Sequence, residues 1–211
     1  MTGRTLTPVL DAIEAFILIG GASSRMGSDK AHLKLKGRSF VELIASALSV
    51  ISPSIRLVGA MGGTNGQAPE LSNVPDINPG WGALGGLHTA LTACTSTWAA
   101  VVACDLPFVS PDLFRHLATL REGFDAVVPV QPDGRQQPLC ALYRTELCLP
   151  VAAELVAAGE RKPRALLARV KTRWVPQEEL DHLPGAANFF MNVNSPADYA
   201  RAVDTTGSDS Q

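Results

Sequence analysis

The sequence predicts an α/β fold, a three-layer, Rossmann-like arrangement in which a mostly parallel sheet is covered by helices on both faces. Three observations predict it. Almost wholly apolar runs at Ala15 to Ile19 and Trp98 to Ala103 suit strands buried on both faces. Segments with helical periodicity and recognisable caps alternate with such runs. Glycine-rich loops follow the runs, as they do where a backbone must approach a ligand closely. With no internal repeat and no second core, residues 1–204 are expected to form one domain and residues 205–211 a disordered tail.

The elements follow in order. Ala15 to Ile19 is the first strand, entering the loop that begins at Gly20-Gly21. Ser39 and Glu42 have capping-box spacing, and Val41, Ile44, Ala45 and Leu48 form the apolar stripe of the first helix. Ile55 to Ala60 is a second strand, and the glycine-rich stretch Met61 to Gln67 reads as a mobile surface loop. The turn-rich Asp76 to Gly82 leads into a helix over Leu84 to Cys94, whose first turn Gly85-Gly86 holds close. Trp98 to Ala103 is a central strand ending at Cys104-Asp105-Leu106-Pro107. Ser110-Pro111 supplies a cap and a first-turn proline for a helix through Leu120. Asp125 to Val130 and Pro138 to Arg144 are strands joined by a turn at Asp133-Gly134. Glu146 to Ala158 and Pro163 to Val170 are helices, Thr172 to Val175 is a short strand, and Ser195-Pro196 caps a last helix through Val203.

Composition narrows the function. A length of 211 residues, 46% hydrophobic and 18% charged, is that of a globular domain with enough apolar material for a core. A net charge of −2 gives no basic field for nucleic acid, so a phosphate-bearing partner must be caught locally. No signal peptide is legible and no apolar run approaches the roughly 20 residues that span a bilayer, so no membrane partner is expected and the setting reads as cytoplasmic. Cys94, Cys104, Cys140 and Cys148 form no C-x-x-C pair and read as small core residues. The four histidines show no ligand spacing.

In a parallel sheet, ligands bind beyond the carboxyl ends of the strands. Four features fall there: the loop after Ile19, the loop around Asp76, Asp105, and Asn192-Val193-Asn194. The first loop, Gly20 to Lys30, joins close-approach glycines to the cations Arg25 and Lys30, which suits a polyphosphate. It has neither the Gly-Lys-Ser/Thr ending of a Walker loop nor G-x-G-x-x-G, and a solvated strand-to-helix turn is the competing reading. Asp105 ends an apolar run, where a carboxylate is costly unless paired, hydrogen-bonded or bound to a cation. Magnesium takes one or two protein carboxylates plus phosphate oxygens, so one aspartate could anchor a metal–nucleotide complex; a turn cap is the alternative. Asn192 and Asn194 would share a face if extended, completing a metal shell or holding ligand hydroxyls, or else lead into the Ser195 cap. The cluster Arg161, Lys162 and Arg164 reads as a solvated face that could meet an anionic substrate.

Leu18-Ile19-Gly20-Gly21, Ser24-Arg25-Met26-Gly27 and Asp29-Lys30 resemble the opening signature of molybdenum cofactor guanylyltransferases. The resemblance continues through Asp76, Pro79-Gly80, Gly85-Gly86, Cys104 to Pro107, Gln137 to Tyr143 and Asn192 to Pro196, in order over nearly the whole chain. It implies a fold of the nucleotide-diphosphosugar transferase type and transfer of GMP from GTP to the terminal phosphate of molybdopterin, with release of pyrophosphate. It also implies backbone contacts to the nucleotide from Leu18, Ile19, Gly20, Gly21 and Gly85, phosphate contacts from Arg25 and Lys30, a guanosine contact from Asp76, magnesium on Asp105, and Asn192 and Asn194 facing the acceptor or metal. Molybdoenzymes or other proteins of cofactor biosynthesis would be its protein partners. Two stretches depart from the pattern. Gly59 to Gly63 stands where the family often has an Ala-Asn-Arg-like segment, and Ala83 where a proline is common. Cytidylyl transfer, transfer to another small phosphate, or non-catalytic nucleotide binding are the rival readings.

Overall fold

The computed structural model describes residues 12–19, 33–59 and 71–208. Their elements are β1 (Ile13–Leu18), a small hairpin of β2 (Lys34–Leu35) and β3 (Arg38–Ser39), α1 (Phe40–Leu48), β4 (Ile55–Val58), β5 (Ser72–Val74), α2 (Gly82–Ala93) and β6 (Trp98–Ala103). There follow α3 (Pro111–Thr119), β7 (Ala126–Val130), β8 (Cys140–Arg144), α4 (Thr145–Ala157), α5 (Arg164–Leu167), β9 (Thr172–Pro176), α6 (Gln177–Leu180), a 3-10 turn at Ala186–Asn188 and α7 (Pro196–Ser208). Seven strands form one sheet in the order β5-β4-β1-β6-β8-β7-β9. β8 runs antiparallel to both its neighbours, and the remaining pairings are parallel.

Alternation along the strands sorts the core into two layers, because successive side chains leave a strand on opposite faces. Ala15, Ile17, Ala100, Val102, Leu142 and Val175 pack with Ile44 and Leu48 of α1 and Leu113, Phe114 and Leu117 of α3. Phe16, Leu18, Val101, Val128 and Tyr143 pack on the other face with Leu84, Leu87 and Leu91 of α2, Cys148 of α4 and Leu166 of α5. Phe16, Ile17, Phe114 and Tyr143 are fully buried. Each buried large apolar side chain contributes roughly 1.5–3 kcal/mol, so the two layers dominate the favourable side of folding. The three-layer, mostly parallel α/β architecture is the one the sequence predicts.

Local chemistry sets the boundaries. Ser39 and Glu42 form the expected capping box: the Ser39 amide donates to the Glu42 carboxylate at 2.6 Å, and the Glu42 amide to Ser39 Oγ at 3.2 Å. Ser110 Oγ accepts from the Leu113 amide at 3.2 Å, with Pro111 in the first turn of α3. At Asp133-Gly134 the Gln131 and Gly134 amides close the turn, and Gly134 takes φ 79°, a conformation open to glycine. All four cysteines are free and buried, and burial pushes the Cys140 and Cys148 thiols up to about 12.

Several elements differ from the sequence reading. α5 is one turn where a longer helix is predicted, because the Arg169 amide bonds Leu166 only three residues back and tightens the end. β5 and the β2–β3 hairpin go unpredicted: each is too short to show a period. α7 runs to Ser208, past Val203 and into the segment expected to be a disordered tail. Within that stretch Thr205 Oγ1 donates to the Arg201 carbonyl one turn back at 2.9 Å. No helix of the described residues is long and apolar enough to cross a membrane.

Candidate functional site

The chain direction reverses about β1. From β1 it moves outward through β4 to β5, then returns to the other side of β1 as β6. The carboxyl ends of β1 and β6 therefore flank a topological switch point, where parallel sheets open a crevice. Leu18 is paired with Ala103 across that seam, and the Cys104 amide donates to the Leu18 carbonyl at 3.1 Å. Ile19 and Asp105 thus leave adjacent strands side by side. On the other flank the Ile19 amide donates to the Val58 carbonyl at 2.8 Å. Gly59 follows at φ 87°, and a Cβ there would lie 2.3 Å from the Ile19 carbonyl oxygen, so the two strand ends close together only over a glycine.

Asp105 is half-buried between Cys104 and Leu106, both buried. Its backbone carbonyl accepts from the Val193 amide at 3.0 Å. That bond brings a segment 88 positions downstream (193 − 105) to the same edge. Val193 is fully buried beside Leu35, Phe40 and Ala202, while Asn192 and Asn194 on either side of it are exposed. Both asparagines therefore leave the buried side toward solvent next to Asp105. The Asn194 amide donates to Asp198, and Ser195 Oγ caps α7 through the Asp198 amide, so the expected cap and the approach to Asp105 coexist. Hydrogen bonds from Ser195 and Arg201 hold the Asp198 carboxyl at about 2.

Asp76 follows β5 on the same edge. Its Oδ1 accepts from the Asn78 amide at 2.9 Å and from Thr89 Oγ1 at 2.8 Å, and Thr89 is buried on α2. The Asn78 carboxamide lies 3.0 Å from His88 Nδ1, and burial lowers the His88 pKa. Gly85 allows the loop to lie on α2, since a Cβ there would sit 2.6 Å from Trp81 Cβ, and Gly86 lets α2 pack closely on β1, since a Cβ there would sit 3.3 Å from Leu18 Cδ1. Gly85, expected to touch nucleotide, thus has a packing reason to be glycine. The loop is pinned from outside as well. Trp81 Nε1 donates to the Glu160 carbonyl at 3.1 Å, the Leu84 amide to the Arg161 carbonyl at 3.1 Å, and the Arg161 guanidinium lies 4.8 Å over the Trp81 ring. Arg161 is therefore more than the solvated charge its sequence context suggests: it stacks on the loop that carries Asp76.

The structure brings Leu18, Ile19, Asp76, Gly85, Asp105, Asn192 and Asn194 to one edge of one sheet. Gly20, Gly21, Arg25 and Lys30, and the loop from Met61 to Gln67, lie outside the described residues. Thr89, Asn78, His88 and Trp81 are supports that sequence reasoning missed; the threonine four residues after Gly85 on an otherwise apolar face was the available signal. Among the described residues no three His, Cys, Asp or Glu side chains gather into a metal cage. A half-buried aspartate whose main chain is bonded to the segment carrying two exposed asparagines offers instead a sparse set of hard oxygens, of the kind magnesium accepts when phosphate and water complete its shell.

Residues 15–176 match the family described as MobA-like NTP transferase domain. The chain is 39% identical over 190 residues to a probable molybdenum cofactor guanylyltransferase of Deinococcus radiodurans, covering 89% of this chain and 92% of that one. It is 34% identical over 186 residues to one of the same description from Pelotomaculum thermopropionicum, covering 88% and 89%. Among solved structures, the molybdopterin-guanine dinucleotide biosynthesis protein A of Archaeoglobus fulgidus superposes with a TM-score of 0.75 at 24% identity, over 92% of this chain and 99% of that one. The 2-C-methyl-D-erythritol 4-phosphate cytidylyltransferase of Thermus thermophilus superposes with a TM-score of 0.67 at 16% identity, over 93% and 99%. These two establish a shared fold.

Proposed function

Since the chain belongs to the MobA-like NTP transferase family, we propose that it transfers GMP from GTP to the terminal phosphate of molybdopterin, forming the guanine dinucleotide and releasing pyrophosphate. One observation carries this reading: the carboxyl ends of β1 and β6 and the segment 192–194 meet at a single switch point, tied by the Val193 to Asp105 hydrogen bond, with Asp76 after β5 on the same sheet edge. Relatives named for the same transfer, aligned over most of the chain, support it.

A phosphate oxygen of the acceptor attacks the α-phosphorus of GTP. A new O–P bond forms as the bond from that phosphorus to the bridging oxygen of pyrophosphate breaks, and the electron pair leaves with pyrophosphate. The acceptor oxygen is already anionic, so no protein nucleophile is required. The protein's work is alignment and neutralisation of negative charge. Leu18, Ile19, Gly20 and Gly21 seat the nucleotide through backbone groups, and Arg25 and Lys30 meet its phosphates. Asp76, held by Thr89 and the Asn78 amide, meets the N–H edge of guanine. Asp105, with Asn192 and Asn194, would hold magnesium, which when bound neutralises charge on the phosphate oxygens. Molybdoenzymes or other proteins of cofactor biosynthesis are the partners this product would reach.

Calorimetric titration with GTP, CTP, ATP and UTP, each with magnesium and again with chelator, tests the reading. Selective, magnesium-dependent GTP binding is expected. Preference for CTP would move the assignment to cytidylyl transfer, and binding of none of the four would overturn it.

A further inference from the structure

Beyond β8 the same sheet edge carries a second feature. β7 and β9 run parallel to β6, so Gln131, after β7, and Gln177, after β9, stand on the edge that bears Asp105. Between them lies a groove of about 430 Å³ lined by Gln131, Gln177, Asp181, Phe190 and Met191. That volume falls within the ~300–1,000 Å³ typical of small-molecule sites. Strands are spaced ~4.8 Å apart, so the end of β7, two strands from β6, lies on the order of 10 Å from Asp105. Met191 is two residues from Val193, at most ~7 Å of chain from the Asp105 anchor.

The polar groups of this groove are incompletely used. Gln131 Nε2 is buried and has no hydrogen-bond partner among the described residues. Gln177 Nε2 donates to Asp181 Oδ1 at 2.9 Å, which fixes that carboxylate and leaves its Oδ2 engaged by no described residue. A buried donor and an exposed anionic acceptor, each without a described partner, therefore line the same groove. The ring of Phe190, packed edge-on against Phe189, and the thioether of Met191 supply an apolar wall. A buried donor without a partner is unfavourable in the empty protein and is satisfied when a ligand carbonyl arrives.

We propose that this groove binds the fused planar heterocycle of the acceptor, with Asp181 accepting from its adjacent N–H and amino groups and Gln131 donating to its ring carbonyl. The proposal rests on the reading of the protein as a transferase acting on a pterin phosphate. A 2-amino-4-oxo pterin edge presents two N–H donors beside one carbonyl, the complement of this pair. The separation of groove from Asp105 is one that a multi-ring heterocycle with a short phosphate arm bridges, leaving its phosphate at the switch point.

The test uses 6-hydroxymethylpterin, a fluorescent pterin without phosphate, titrated into the full chain, with magnesium GTP titrated separately by calorimetry. Saturable pterin binding is expected, weakened at least tenfold by Asp181→Asn and by Gln131→Leu, with GTP affinity unchanged in both. Absence of pterin binding to the unaltered protein, or equal binding by both variants, overturns the proposal. So does loss of GTP affinity with pterin binding intact, because guanine carries the same donor–acceptor edge and would then be the occupant. Pterin binding that depends on both side chains in a protein that binds no nucleotide supports the groove while removing the transferase reading.

Discussion

Glu14 and Asp105 stand at opposite ends of one pair of neighbouring strands, and the fold buries the two acids to different depths and at different edges. Glu14, near the start of β1, is buried and enclosed by its own protein: Arg56 of β4 pairs with it, the Thr95 amide and hydroxyl donate to it, and Ser96 Oγ lies 3.3 Å away. Asp105, just past the end of β6, is half-buried, and its backbone carbonyl accepts from the Val193 amide. The amino edge of the sheet consumes its carboxylate in joining β1, β4 and the α2–β6 turn. The carboxyl edge positions the main chain of its aspartate beside the segment carrying Asn192 and Asn194. Burial and an acidic residue are thus insufficient to mark a site; the strand end at which the residue sits decides which role it takes.

The sharpest way to break this comparison is Asp105→Ala. If the carboxyl edge is chemical, pyrophosphate release should fall by roughly 10²–10³-fold or more, as for loss of a key electrostatic group. The melting temperature should change little, because Leu106 and Val109 keep their core contacts. Normal turnover would remove Asp105 from the mechanism.

The reverse is expected at the other end. Glu14→Gln leaves the Arg56 guanidinium, stacked 4.8 Å over the Phe16 ring, beside a neutral partner in a mostly buried setting. Breaking such a pair costs about 3 kcal/mol. Urea unfolding should show that loss, while turnover per folded molecule stays within about twofold, since Glu14 lies at the far edge of the sheet. A variant that lost activity without losing stability would show that the two edges are coupled.

This difference also explains what the sequence could reveal. Asp105 was legible because β6, Trp98–Ala103, is a continuous apolar run whose bounds the structure reproduces, and an acid immediately after such a run demands an explanation. Glu14 was not, because the apolar run was read from Ala15 and its partners lie 42 and 81 residues away. Asp76 was legible from its turn, but Thr89, which holds it, is a buried polar residue on an apolar helix and gives no motif. β5 is Ser72–Val74, mostly exposed, and is a strand only because β4 pairs with it. The stacking of Arg161 on Trp81 and the groove between Gln131 and Asp181 each join distant segments, so no spacing in the chain could announce them.

The smallest expected effect sharpens the account of Glu14. Burial alone would raise its pKa, but hydrogen bonds from Thr95 and the charge of Arg56 outweigh it and hold the carboxyl below its ordinary value of 4.5. A folded-state pKa below the unfolded one means that the unfolded chain binds protons first. The stabilisation is therefore complete above about pH 4.5 and is lost as the pH falls through the lower, folded value. Urea midpoints measured from pH 6 down to pH 3 should fall in the unaltered protein below pH 4.5 and fall less steeply in Glu14→Gln, whose amide does not titrate. Parallel curves would mean that the hydrogen bonds around Glu14 hold the amide as well as they hold the carboxylate, and that the amino edge is built on hydrogen bonding with charge contributing little.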